Sequence, residues 1–180
     1  PYGINADNQA RIMSRGKLAK PKDYGVGDWD GQPIDSSLVS SIRDLCSKQI
    51  IFGGNYYNLP PTACWLVWDK QNGNNDFADC ELAWTNLKKA ARLKVHLWNG
   101  MIRKNNETRE HPTQKPLEVI EWALSLAGDD VETILDPFAG SGTTGRAAKD
   151  LNKKAVLIER EERYCEVAAK RMAQEVFQWQ

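Results

Sequence analysis

Apolar residues at Leu38, Val39, Ile42 and Leu45 recur at the spacing of one helix face, so residues 36–47 predict an amphipathic helix. Two short apolar runs with strand character follow at 49–53 and 63–68. The tract between them carries a Pro60-Pro61 pair that forbids regular structure. Residues 79–86 and 92–98 predict two further strands, the second alternating Leu93, Val95 and Leu97, and 101–113 reads as a polar linker. Pro116 is expected at the first position of a helix running to Ala127, where its missing N–H costs little, and Gly128 closes that helix. The rest is the most regular part of the chain. Thr133–Asp136 predicts a strand, 140–142 a tight turn, 143–151 a helix and 154–158 a strand. A last helix, 163–177, carries Tyr164, Val167, Ala168, Met172 and Val176 on one face. Strand, glycine turn, helix, strand and helix make a parallel βαβ unit, and the fold class expected is α/β with a mostly parallel sheet flanked by helices. Residues 5–35, rich in Gly, Pro, Lys and Asp, show no sustained period and read as a long loop with at most one short helix; long ordered loops are usually functional.

Composition narrows the class without choosing a function. The 180 residues suffice for one ordinary domain, and 41% hydrophobic with 27% charged residues is a globular balance. No apolar run is long enough for a membrane helix, and residues 1–10 show no signal-peptide pattern, so no membrane role and a cytoplasmic location are expected. The four cysteines are widely spaced and only two histidines are present, which argues against a metal site and for reduced, mostly buried thiols. The formal net charge is zero, so any contact with nucleic acid has to be local.

The chemistry concentrates in one turn. Ile134-Leu-Asp-Pro-Phe-Ala-Gly-Ser-Gly-Thr-Thr-Gly145 falls where an α/β sheet binds ligands, at the carboxyl end of a strand. Gly140 and Gly142 allow a sharp turn, and the helix beginning at Thr143 offers free N–H groups to a polar or anionic group. Glu159 ends the next strand about 20 residues on, where an acidic side chain usually grips ribose hydroxyls. Together these point to an adenosine-containing cofactor. Gly145 completes a formal G-x-G-x-x-G, yet Asp136-Pro-Phe138 ahead of it does not suit a nicotinamide fold; an acidic group there suits a cationic ligand such as a sulfonium amino acid. A glycine turn that merely closes helix against strand is the bland alternative.

These residues resemble the S-adenosylmethionine-dependent DNA amino-methyltransferases of the circularly permuted (beta) group. Asp136-Pro-Phe-Ala-Gly-Ser-Gly-Thr-Thr is similar to their cofactor motif, His111-Pro-Thr-Gln-Lys-Pro116 to the block that precedes it, and Pro1-Tyr2-Gly3-Ile4-Asn5 to the tail of their catalytic Asp-Pro-Pro-Tyr motif. The resemblance runs nearly end to end. It implies a single Rossmann-like methyltransferase domain over 1–180, with 5–35 as a target-contacting loop and 111–180 as the cofactor-binding half. Cofactor roles are implied for Thr113, Lys115, Asp136, Phe138, Ala139, Gly140, Ser141, Gly142, Thr143 and Glu159. Pro1 and Tyr2 are implied at the catalytic end, Tyr2 stacking on a base flipped from the duplex.

The activity so implied is methyl transfer from S-adenosylmethionine to the exocyclic amine (N6) of adenine in double-stranded DNA, with N4 of cytosine as the alternative. A bacterial or phage-infected host, a restriction-enzyme partner and a homodimer belong to the same expectation. The Asp-Pro that should precede Pro1 is not in the sequence, which predicts a truncated N-terminus (about 20 to 40 residues, enough for two strands and a connection) and a weak catalyst. A non-catalytic cofactor- or DNA-binding remnant therefore stays open, while RNA or protein-glutamine methylation and nicotinamide chemistry fit the motifs less well. Two basic clusters offer phosphate contacts: Arg11, Arg15, Lys17 and Lys20 with Lys22, and Lys88, Lys89, Arg92, Lys94, Arg103 and Lys104. A solvated charged face is the ordinary reading of such runs. His96 is expected to be an ordinary strand residue, and His111 to make a structural hydrogen bond.

Overall fold

The structure is a computed structural model that describes residues 34–73, 78–98 and 108–174. It falls into two compact units, Pro1–Asn106 and Glu107–Gln180.

The first unit opens with α1 (Ser36–Asp44), which starts where Asp35 accepts the Ser37 N–H at 2.7 Å as an N-cap. The helix stops at Asp44, short of the apolar pattern that runs to Leu45. The Gln49 amide helps close this end by donating to the carbonyls of Arg43 (2.7 Å) and Cys46 (2.9 Å), the first of which also accepts the Cys46 N–H at 3.3 Å. Four strands follow: β1 (Ile50–Phe52), β2 (Leu66–Asp69), β3 (Cys80–Thr85) and β4 (Arg92–Val95), in the order β1-β3-β2-β4. β3 runs antiparallel to both β1 and β2, while β4 runs parallel to β2. The tract predicted to be irregular begins with a 3-10 turn at Gly54–Tyr56, packed so closely on Trp84 that a Cβ at Gly54 would collide with that residue's own Cβ. Leu66 and Trp68 alternate inward along β2, and with Cys64, Ala83 and Trp84 they form the core. The polar atoms in this core are paired: Trp68 Nε1 donates to His96 O, Trp84 Nε1 to Pro60 O, and Thr85 Oγ1 to Cys64 O at 2.8 Å.

The second unit contains α2 (Leu117–Ala127), β5 (Thr133–Asp136), α3 (Thr143–Asp150), β6 (Lys154–Leu157) and α4 (Glu162–Ala173). β5 and β6 pair in parallel with α3 between them in sequence, as the βαβ reading expects. Pro116 stands one residue outside α2, with extended backbone (ψ 142°), so it caps the helix instead of opening it. Gly128 ends α2 at φ 101°. α4 stops at Ala173, and Val176 and Phe177 lie outside the described residues. At the base of the unit Lys153 Nζ donates to the carbonyls of Gly128 (3.3 Å) and Val131 (2.6 Å), tying the end of α2 to the approach of β5.

The fold is α/β and Rossmann-like, with strands and helices alternating in the second unit. The expected mostly parallel sheet is corrected: among the described residues two pairings are parallel and two antiparallel, the antiparallel ones both made by β3, whose neighbours β1 and β2 are not linked to it by crossover helices. Among the described residues no helix is long and apolar enough to cross a membrane. The four cysteines carry no disulfide, but the expectation of mostly buried thiols is corrected. Only Cys64 is buried, within the core of the first unit; Cys46, Cys80 and Cys165 are half-buried.

Candidate functional site

The glycine turn joins the carboxyl end of β5 to α3, and its shape follows from where β6 ends. Ile158 N–H donates to Asp136 O and Ala139 N–H to Ile158 O, each at 2.9 Å, so the chain is stitched across both strand ends before it turns. Gly140 (φ 51°) and Gly142 (φ 76°) then adopt left-handed backbone, which L side chains rarely take. A Cβ at Gly142 would lie 2.7 Å from the Ala168 Cβ of α4, and one at Gly145 would lie 2.5 Å from Leu157 Cδ1. The first and second glycines therefore form the turn, while Gly142 and Gly145 also let α4 and β6 approach α3.

Two carboxylates stand at the ends of the neighbouring strands. Asp136 Oδ1 accepts the Phe138 N–H at 3.0 Å. Glu159 accepts the Gly140 N–H at 2.7 Å through Oε2 and the Glu161 N–H at 2.9 Å through Oε1. Both carboxylates keep further lone pairs for a ligand. Phe138 is exposed beside them, while Ala139, Ser141 and Thr143 are buried.

The His111-Pro-Thr-Gln-Lys-Pro116 block lies against this turn. A Cβ on Gly140 would meet the His111 ring at 3.4 Å, and that ring rests on Tyr164 of α4 with centroids 4.2 Å apart. His111 Nδ1 accepts the Thr113 N–H at 3.2 Å and lies 3.1 Å from Thr113 Oγ1. With Nδ1 accepting from the backbone, the ring is neutral and carries its proton on Nε2. Burial pushes its pKa down to about 3, and the cations of Lys115 and Arg109 push the same way. Thr113 and Lys115 are themselves half-buried. The expected structural role of His111 has a geometric basis here.

Two residues that sequence reasoning left without a role hold the turn from either side. Gln114 Oε1 accepts from Ser141 Oγ at 3.0 Å and from Glu110 N at 2.9 Å. Arg171 Nη1 donates to Thr143 Oγ1 at 2.8 Å. Gln114 sat inside a motif already singled out. Arg171 could have been suspected because Tyr164, Ala168 and Arg171 share helical spacing, putting a cation on the packed face of α4.

Pro1, Tyr2, Arg11, Arg15, Lys17, Lys20 and Lys22 lie outside the described residues, as do Arg103 and Lys104. Lys88, Lys89 and Arg92 are exposed, and His96 is buried, donating its N–H to Asp69 O at 3.0 Å. No group of three or more His, Cys, Asp or Glu side chains is placed to hold a metal ion among the described residues.

The donor set fits an adenosine-containing cofactor with a cationic end. Two carboxylates accept from hydroxyl or ammonium groups and an exposed ring offers a flat apolar surface, while the N–H groups of Gly140 and Gly142 are spent on Glu159 and Ala139 and serve to shape the turn.

Comparison with known proteins agrees with this chemistry. The family described as DNA methylase matches residues 51–170. The type II methyltransferase M2.LlaDCHI of Lactococcus lactis subsp. cremoris is 41% identical over 78 residues, 42% of this chain and 29% of that protein. M.HinfI of Haemophilus influenzae, another type II methyltransferase, is 37% identical over 126 residues, 67% of this chain and 35% of that protein. The chain thus spans roughly a third of the length of the curated relatives it matches. Among solved structures, the M1.HpyAVI–SAM complex is 25% identical with a TM-score of 0.48, covering 77% of this chain and 69% of that one.

Proposed function

We infer that this chain, which belongs to the N6/N4 DNA methylase family, holds S-adenosylmethionine at its glycine turn and serves methyl transfer to the exocyclic amine (N6) of adenine in DNA. The family is S-adenosylmethionine-dependent. The observation that carries the reading is the pair of carboxylates flanking one turn, with Glu159 locked onto the Gly140 N–H at 2.7 Å.

When bound, S-adenosylmethionine supplies a methyl group activated by its sulfonium. The chain's own residues do the holding. Glu159, fixed by two backbone N–H groups, presents its free lone pairs to hydroxyl donors such as those of a ribose. Asp136 places negative charge at the end of β5, where it favours a cationic ligand. Phe138 gives a flat face for an apolar or aromatic group. Thr113, Lys115, Ala139, Gly140, Ser141, Gly142 and Thr143 complete the cofactor side. Transfer to an amine needs orientation more than proton removal, so positioning carries most of the rate. Pro1 and Tyr2 belong to the base side of the same proposal, and Arg11, Arg15, Lys17 and Lys20 to phosphate contacts along double-stranded DNA. A cytoplasmic setting, a restriction-enzyme partner and a homodimer are part of this proposal.

The test is calorimetric titration of the chain and of Asp136→Ala with S-adenosylmethionine. It is followed by incubation with DNA and mass analysis of the digested nucleosides. Cofactor binding lost in Asp136→Ala, with N6-methyladenine formed by the parent, is the expected result. N4-methylcytosine instead would overturn the adenine assignment. Binding without any methylated base would restrict the chain to holding cofactor, and a folded chain that binds no cofactor would overturn the reading.

A further inference from the structure

Ser141 and Thr143 bury polar side chains inside the turn assigned above to the cofactor, and α4 delivers a charge to both. Arg171 Nη1 lies 2.8 Å from Thr143 Oγ1, 3.3 Å from Ser141 O and 3.4 Å from Ser141 Oγ. A guanidinium only donates, so all three oxygens accept. The Ser141 hydroxyl proton is then directed to Gln114 Oε1, 3.0 Å away. The Gln114 amide is oriented in turn, because its Nε2 donates to Thr108 O at 3.0 Å while Oε1 also receives the Glu110 N–H at 2.9 Å. Flipping that amide would set its NH₂ against the Glu110 N–H. The result is one directional chain, Arg171 to Ser141 to Gln114, running from α4 through the turn to the segment ahead of α2.

The placement of Arg171 is not what α3 alone would favour. A cation beside a helix N-terminus opposes the helix dipole. It does raise the positive potential around the turn, which suits a ligand bearing a carboxylate, as the methionine end of the proposed cofactor does.

We propose that Arg171 is a positioning residue for the cofactor: through Ser141 and Thr143, with Gln114 closing the far side, it holds the turn in the one form that receives the ligand. The proposal rests on the cofactor reading above and assigns Arg171 no contact with the ligand itself. Loss of the guanidinium releases the Thr143 side chain and leaves the Ser141 hydroxyl held by Gln114 alone, so ligand must then restore their order on binding.

The experiment titrates the full chain, Arg171→Met, Arg171→Lys and Gln114→Leu with S-adenosylmethionine, at a temperature where circular dichroism shows each folded. Amide exchange across 140–143 is followed without ligand. Arg171→Met is expected to bind about tenfold more weakly, the scale of one charge-assisted hydrogen bond, with faster exchange in the turn. Arg171→Lys should recover part of the loss, since one ammonium can reach Thr143 Oγ1 but cannot span the fork. A folded Arg171→Met within about twofold of the parent would overturn the proposal, as would a lysine variant no better than methionine. If Arg171→Met does not fold, Gln114→Leu and Arg171→Lys decide it, and unchanged affinity in both would overturn it. A parent that binds beside unaffected variants defeats the positioning role alone, whereas a folded parent that binds nothing defeats the cofactor reading and this proposal with it.

Discussion

Glu159 and Gly140, 19 residues apart, are joined by a 2.7 Å bond from the glycine's backbone N–H to the carboxylate, so the end of one strand fixes the turn that follows its neighbour. Glu159→Ala removes the acceptor for two backbone N–H groups at once. The expected outcome is a loss of about 1.5–3 kcal/mol of stability, read by chemical denaturation. S-adenosylmethionine affinity should fall together with it. Unchanged stability would mean that these two groups find water without penalty.

His111 makes stability depend on acid. Its folded pKa lies near 3 against an ordinary value of 6.5, so the unfolded chain takes up a proton that the folded one refuses. The contribution is fully present above pH 6.5 and is lost progressively as pH falls from there toward 3. Its size is on the order of a few kcal/mol over that window. Denaturant melts at pH 7 and pH 5 should show a drop in the parent and a smaller drop in His111→Asn, whose amide oxygen can replace Nδ1 as acceptor. Equal drops would place the titration elsewhere.

Three glycine-to-alanine changes separate backbone conformation from space. Gly73 has φ 66° with nothing among the described residues near its missing Cβ, so Gly73→Ala is expected to meet only the left-handed penalty, about 1 kcal/mol. Gly145 has an ordinary helical backbone but Leu157 at 2.5 Å and Met172 Sδ at 3.0 Å, and overpacking there is expected to cost about 1–3 kcal/mol. Gly142 combines a φ of 76° with the Ala168 backbone at 3.0 Å, so its alanine variant should be the least stable of the three. Thermal melts of the set give the ranking, and Gly142→Ala matching Gly73→Ala would contradict the packing described.

Thr85 is fully buried in the first unit, donating to Cys64 O at 2.8 Å and accepting the Leu87 N–H at 3.2 Å. Thr85→Val keeps the shape and strands both partners. A loss of about 1–3 kcal/mol is expected in denaturant unfolding, and a neutral result would show that water reaches these groups.

How far the sequence anticipated this differs between the units. In the second unit Thr133–Asp136 was placed to the residue, and the strand–turn–helix pattern with Gly140 and Gly142 followed from local rules, because a βαβ unit is built from contacts near in sequence. Pro116 was off by one, since its ring tolerates both the cap and the first turn and only the extended ψ of 142° decides between them. In the first unit the four strands were recognisable, but their order was not: the insertion of β3 between β1 and β2 depends on pairings such as Ile50 with Thr85 that no local pattern encodes. The early end of α1 is closed in part by the amide of Gln49, a residue the apolar pattern treats as the start of a strand. At the site, the acidic ends and the glycines were legible by spacing, while Arg171 was hidden because a cation on an amphipathic helix ordinarily faces solvent.

The ammonium of Lys153 reaches back 25 residues to Gly128, enclosing β5 and α3 in a loop closed at its own base. A closure this local costs little chain entropy, and the bond between Gln49 and Asn86 in the first unit, across 37 residues, costs only about 0.3 kcal/mol more. Loop length therefore sets no order between the two closures, and β5 and β6 should gain amide protection in a refolding pulse no later than β1 and β3. The turn assigned to the ligand can thus take its shape without the β1–β3 pairing, because Gly128, Lys153 and both strands beside the turn belong to one unit.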